Sequence, residues 1–414
     1  MRSSWLVAAA VLVSSTGAWA ADVQASSTTL FGARPDLVNG QVRTVVPLYE
    51  LVGLRARGID TPVLDDVGIT VDAWGALAVP GEPPAGLSGD VNLVYVEGKA
   101  FKKHLNVRLG RQFVTGGVAR NQYFDGLLLD LKGTLGFGLT GFVGQPVRER
   151  FANFLRGDLA SGARLYWAPS TDAQIGASFI YTAQKGALSR EDIGADARWV
   201  PWRSLTLLGS ITWSVDDKRL VELDVGPRWQ PLEDLEVALA YRRTAPDLFL
   251  ARNSIFSVFA ETSRDDAGAS IAYQLTRSLG IYGDGRALWI NKELGYELGL
   301  RATYKLPRLP TSNASLQFRR LSIPSNAFTQ ARLGARHVMP MGLGLAVDLE
   351  TYVLDQAIRG KNLSFSSAIT ATWQLADAWM VGLTFFGATT PTFDGRYEVM
   401  AKLAYNFPGE SRTP

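Results

Sequence analysis

The chain contains no cysteine, which excludes a disulfide framework, a thiol nucleophile and any cysteine-ligated metal or cluster. Histidine is almost as scarce, with two in 414 residues. Neither sign of charge dominates: 42 basic and 39 acidic side chains leave a formal charge of +3, too balanced for a chain whose main task is to hold nucleic acid. Long apolar runs are missing too. Beyond the first 20 residues no window approaches the roughly 18 unbroken apolar residues that a membrane helix requires. Yet 10% of the residues are aromatic and 41 are Gly, a composition that needs its own explanation.

The N-terminus supplies part of it. Arg2 precedes an apolar run from Trp5 to Val13, and Ala18-Trp19-Ala20 then offers the small-x-small pattern that a signal peptidase accepts. Residues 1–20 are therefore expected to be a signal peptide, leaving an exported chain from Ala21 with a charge of about +2. With no helix to anchor it, the chain is either soluble outside the cytoplasm or held in a membrane by strands.

Period two decides between these. Leu235, Val237, Leu239 and Tyr241 share one face while Glu236, Ala238, Ala240 and Arg242 share the other. Leu294, Tyr296, Leu298, Leu300, Ala302 and Tyr304 likewise oppose Gly295, Glu297, Gly299, Arg301, Thr303 and Lys305. The second face is wet, unlike that of a sandwich core. The apolar face ends in aromatics: Trp167, Trp199, Trp229, Tyr304 and Trp373 at one end, Tyr181, Trp213, Tyr241, Trp289 and Phe385 toward the other. Two aromatic girdles are what the two membrane interfaces favour.

Alternating segments begin near 23, 44, 66, 88, 104, 123, 135, 156, 171, 190, 203, 218, 233, 265, 278, 293, 312, 326, 342, 362, 377 and 396. The expectation is an all-β, transmembrane, antiparallel up-and-down barrel over 21–407 with about 22 strands, 18 or 20 remaining open because the first 150 residues are less regular. An even count puts both termini in the periplasm of a bacterial outer-membrane protein, with 408–414 a short periplasmic tail. Tight turns recur at Pro169, Pro201, Pro231, near Ser278, at Pro307, near Pro340 and near Ala376, as expected of the periplasmic side. The last strand ends on Tyr405 and Phe407, a pattern resembling the terminal aromatic signal that the barrel assembly machinery recognises.

Strands of about 11 residues use most of the chain and leave no room for a plug domain. A lumen of that girth must be narrowed by inward loops or capped by a partner. Two connections are candidates, 146–157 and 244–264. The second carries Leu248, Phe249, Phe256 and Phe259, costly on a loop tip in water. The inward phase mixes Arg and Lys with Asp and Glu, a hydrated wall without strong ion preference. Arg319, Arg332 and Arg336 come from two consecutive strands with no inward acid between them, forming a track for anionic solute unless Asp348 and Glu350 neutralise it.

Gly110-Arg111-Gln112, Gly116-Gly117 and then Phe124-Asp125-Gly126 resemble the GRQ and FDG signature of alginate-export-type barrels. Members of that family are outer-membrane channels through which an anionic polysaccharide leaves the periplasm past basic side chains. The resemblance covers about 20 residues and implies that Arg108 and Gln112, in the inward phase, touch polymer; the inward phase itself adds Arg301, Arg319, Arg332 and Arg336 to the expected path. Arg111 falls out of phase. Catalysis finds little support: His104 and His337 lie beside tight turns, and no cluster has metal-ligand spacing or cradles a phosphate. No cofactor is implied. The expected function is a passage for polysaccharide export fed by a periplasmic export complex, with a passive porin for small solutes as the alternative. Lipid is the surrounding partner in either case.

Overall fold

Alternation of β-branched, leucyl and aromatic residues with small and polar ones suits a sheet wetted on one face and bathed in hydrocarbon on the other. The computed structural model bears this out. It describes residues 22–407, apart from 39–40, 60, 63, 79–86, 121, 148–157, 246–262, 291, 308, 310, 324–325 and 392. In order the strands are β1 (Asp22–Val38), β2 (Gln41–Val45), β3 (Pro47–Ile59), β4 (Asp65–Ala78), β5 (Leu87–Ala100), β6 (Leu105–Val114), β7 (Gln122–Lys132) and β8 (Phe137–Pro146). There follow β9 (Leu159–Ser170), β10 (Ala173–Gln184), β11 (Ala187–Trp202), β12 (Leu205–Ser214), β13 (Arg219–Leu232), β14 (Leu235–Thr244), β15 (Arg264–Gln274) and β16 (Leu279–Ile290). The wall ends with β17 (Glu293–Lys305), β18 (Asn313–Ile323), β19 (Asn326–Val338), β20 (Leu343–Ile358), β21 (Lys361–Ala376), β22 (Trp379–Thr390) and β23 (Phe393–Phe407).

Segments β2 and β3 both pair with β1 and are one strand broken at Val46, so the 23 segments make 22 strands. Every pairing is antiparallel between sequence neighbours, and β1 closes on β23 from Ala25 opposite Phe407 to Ala33 opposite Val399. This settles the strand count at 22; 18 and 20 are excluded. Among the described residues the only other elements are two three-residue 3-10 turns, and no plug domain is among them. The expected leader (1–20) and tail (408–414) lie outside the described residues.

One end of the barrel carries both termini and only short links, such as 171–172, 203–204, 233–234 and 377–378. The other end carries the long ones, 147–158 and 245–263, and is the outer end. It also has two-residue turns at 185–186 and 359–360, so the asymmetry lies in a few links and not in every hairpin. Large apolar side chains are exposed around the outside, among them Leu165, Ile175, Leu239, Leu298, Phe318, Ile369 and Leu383. Trp167, Trp199, Trp229, Tyr304 and Trp373 face the same way and are 43–55% exposed, where hydrocarbon gives way to headgroups.

Glu50 departs from the apolar pattern of the outward face. Glu50 of β3 stands opposite Thr29, which on its other side stands opposite Leu403, between Tyr397 and Tyr405 of β23. The carboxylate therefore lies within the apolar band, where it accepts hydrogen bonds from Ser27 and from Thr29, the latter at 2.6 Å.

Candidate functional site

The lumen owes its form to two features, a link that folds inward and a recess in the stretch of wall beside it. The β6–β7 hairpin builds the first. Its strands set Gly110 opposite Gly126, Arg111 opposite Asp125 and Gln112 opposite Phe124. The residues of the GRQ and FDG strings are thus cross-strand partners. Gly126 continues the row to Gly144 on β8. A Cβ on Gly126 would sit 2.2 Å from the Val143 carbonyl oxygen, so only glycine permits this approach. Arg111, on the outward face, forks onto Asp125 at 2.8 and 3.0 Å and reaches Asp90 at 3.1 Å. Its out-of-phase position is met by an ion pair on the wall, without a bulge.

Beyond β6 the chain turns into the lumen. Residues Thr115–Arg120 lie against the inner faces of β10 and β11, three and four strands beyond β7. The main-chain N–H of Val118 donates to Ser178 Oγ at 3.0 Å, and Arg190 donates to the Val118 carbonyl at 3.3 Å. Arg120 forms an ion pair with Glu222 on β13. Burial, and then the neighbouring Arg190, lower the pKa of Arg120 from its ordinary value. Gly117 has a φ of +54°, and a Cβ there would fall 2.4 Å from Ser178 Oγ. Beneath this latch Val114, Phe124, Leu128, Phe142, Ala160 and Ile180 form, with Val118 of the latch itself, an apolar cluster on the lumenal side of the sheet. Such a cluster belongs in no hydrated wall; it exists because the latch covers it.

Gln112 is covered with it. Although in the inward phase, it is 1% exposed, and its amide donates to the Gly126 carbonyl at 3.0 Å and the Arg108 carbonyl at 3.2 Å. It braces the hairpin and presents nothing to the passage, which corrects its place in a polymer path. Arg108 does face the lumen, 3.2 Å from Glu97 and over the Tyr95 ring at 5.6 Å.

Beginning on the strand after β13, which carries the Arg120 partner Glu222, strands β14 to β19 form a recess of about 560 Å³. Its floor is small, with Ala238, Ala240, Gly268, Ser270 and Gly299, and its rim carries Arg286, Arg301, Arg319 and Arg332. Arg286 and Arg319 share Glu297, at 2.6 and 3.2 Å, and Arg332 holds Asp348 at 2.6 Å. Acids on β17 and β20 thus offset two of the three arginines expected to form an anionic track. Arg336, the third, points inward near the terminal end of β19, outside the recess. Arg301 lies over the Tyr282 ring at 5.5 Å.

Leu248, Phe249, Phe256 and Phe259 lie outside the described residues, as do positions 148–157 of the other candidate loop. The latch went unnoticed in the sequence; Gly116-Gly117 beside an inward apolar phase at Val114, Phe124 and Leu128 was the available signal. Tyr405 and Phe407 sit on the closing strand, where Tyr405 packs on Trp379 at 4.5 Å between ring centroids. His337 Nδ1 meets Ser312 Oγ at 2.5 Å, but Ser312 is buried and no carboxylate orients the imidazole among the described residues. His104 bonds the Lys132 carbonyl. Among the described residues no His, Asp or Glu cluster could hold a metal.

No family model matches the chain and no curated protein matches it. Among solved structures, the translocation pore of the P pilus usher PapC is similar at a TM-score of 0.54, with 8% identity over 92% of this chain and 99% of that one. The usher in an E. coli P pilus tip assembly intermediate with PapD, PapK and PapG gives a TM-score of 0.55 and 10% identity, over 96% of this chain and 62% of that one. Pseudomonas aeruginosa OpdQ gives 0.46 and 11%, over 94% of this chain and 98% of that one. At such identities what is shared is the fold. The protein is a bacterial outer-membrane β-barrel of 22 strands. None of these comparisons shows the resemblance to alginate-export-type barrels.

Proposed function

We propose that this protein is a passive outer-membrane channel for small polar solutes. The observation that carries the reading is the latch: Thr115–Arg120 is folded across the inner wall and fixed at Ser178, Arg190 and Glu222, narrowing a lumen otherwise lined by hydrogen-bonding and paired charged groups. A hydrated but narrowed passage suits solutes of monomer size. Polysaccharide export, fed by a periplasmic export complex, is the second reading. It is favoured by a wall of 22 strands with no plug among the described residues, and it requires the latch to swing aside. Tyr405 and Phe407 serve as the assembly signal in both readings.

Swelling of liposomes containing the purified barrel separates them. Small-solute passage predicts rapid uptake of monosaccharides and exclusion of long oligosaccharides, with cellular polymer secretion unaffected by deletion of the gene. Loss of a secreted polymer on deletion, with monosaccharides excluded from the liposomes, would reverse the order.

A further inference from the structure

The ion pairs around the lumenal recess close on one another and leave two charges over. Arg286 and Arg319 are engaged by Glu297, and Arg332 by Asp348. Among the described residues neither Arg301 nor Asp284 has an ion-pair or hydrogen-bond partner, and both line the recess. They stand on adjacent strands and two residues apart in register, a diagonal pair on the lumenal face, Arg301 opposite Tyr282 and Asp284 opposite Gly299. The two open charges are therefore of opposite sign, side by side over a floor of alanine and glycine. The Arg301 guanidinium carbon lies over the Tyr282 ring at 5.5 Å, a contact that uses none of the guanidinium N–H donors as hydrogen bonds to an oxygen. The other guanidiniums that line this recess meet carboxylates directly.

We propose that this recess is a subsite for a small zwitterion, its carboxylate received by Arg301 and its ammonium by Asp284, with Gln317 opposite Arg301 as an added amide donor. This rests on the channel reading and names the solute class within it. A carboxylate alone would leave Asp284 facing an anion, and a cation alone would face Arg301. A solute bearing both charges on neighbouring atoms meets both groups at once, and the cavity of about 560 Å³ has room for an amino acid with its water.

The test uses the full barrel in liposomes, with L-glutamine and a neutral pentose of similar mass as probes. The wild type is expected to pass glutamine faster than the pentose by about threefold, the scale of an exposed ion pair. Arg301→Gln and Asp284→Asn should each abolish that preference while leaving the pentose rate and heat-modifiable migration unchanged. Equal rates in the wild type, or a preference surviving both substitutions, overturns the subsite and leaves the channel standing. A preference lost in Arg301→Gln but kept in Asp284→Asn overturns the zwitterion in favour of a simple carboxylate. Exclusion of both probes overturns the channel reading itself.

Discussion

The main-chain N–H of Val118 donates to Ser178 Oγ at 3.0 Å, tying the link after β6 to a strand three places beyond β7. That bond, with Arg120 on Glu222, holds the latch against the wall. Replacing residues 115–121 by a two-residue turn should raise single-channel conductance in planar bilayers and admit larger sugars. Ser178→Ala should cost about 1 kcal/mol of latch attachment, seen as added current fluctuation with the mean barely changed. Unaltered conductance after the replacement would show that the latch does not set the bore.

How far this architecture could be read from sequence depends on which force fixes each part. Strand positions follow from local alternation against lipid, so segments anticipated near 66, 203 and 326 begin at Asp65, Leu205 and Asn326. The latch is a tertiary event. Val114 and Phe124 fit the inward phase equally well whether water or chain covers them, and period two cannot distinguish these. Gln112 was misplaced for the same reason, since phase reports the face of a residue and not what lies on it. Glu50 was hidden because β2 and β3 are interrupted at Val46, which blurs the alternation there.

Arg111 offers a test of the hairpin signature. Its fork on Asp125 is largely shielded, the arginine side chain being 14% exposed. Arg111→Ala strands Asp125 on the outer wall and should lower stability by about 3 kcal/mol, read from the heat-modifiability midpoint. Arg111→Lys should recover less than half of it, because an ammonium cannot reproduce the two parallel bonds. Conductance should be unchanged, as expected of a bracing role; a polymer-contacting residue would change passage without changing stability.

The glycine row across β6, β7 and β8 gives a sharper result. At Gly126 any side chain meets the Val143 carbonyl at 2.2 Å and the Gly144 Cα at 2.5 Å. Gly126→Ala must push strands apart, and overpacking of this kind costs about 1–3 kcal/mol. The yield of heat-modifiable barrel in outer membranes should fall, while Gly186→Ala, at a turn where nothing lies within 4 Å of the added Cβ, should show only the mild effect of its positive φ. Equal yields would mean the hairpin can spread without penalty.

Glu50 provides the last prediction, because its two hydroxyl partners have no other evident reason to face lipid. A carboxylate in the apolar band is tolerated only while it is hydrogen-bonded, so Ser27→Ala and Thr29→Ala should each destabilise the barrel by about 1–2 kcal/mol. In a Glu50→Leu background the same two substitutions should be neutral, because no charge is left to satisfy. Glu50→Leu alone should match or exceed the wild type in unfolding from lipid vesicles, since replacing a solvated charge by hydrocarbon removes its desolvation cost. A double-mutant cycle measures the coupling directly. Additive effects would place the Glu50 carboxylate in water or headgroups, outside the hydrocarbon, and would require the barrel to sit lower in the membrane than Tyr397 and Tyr405 now define.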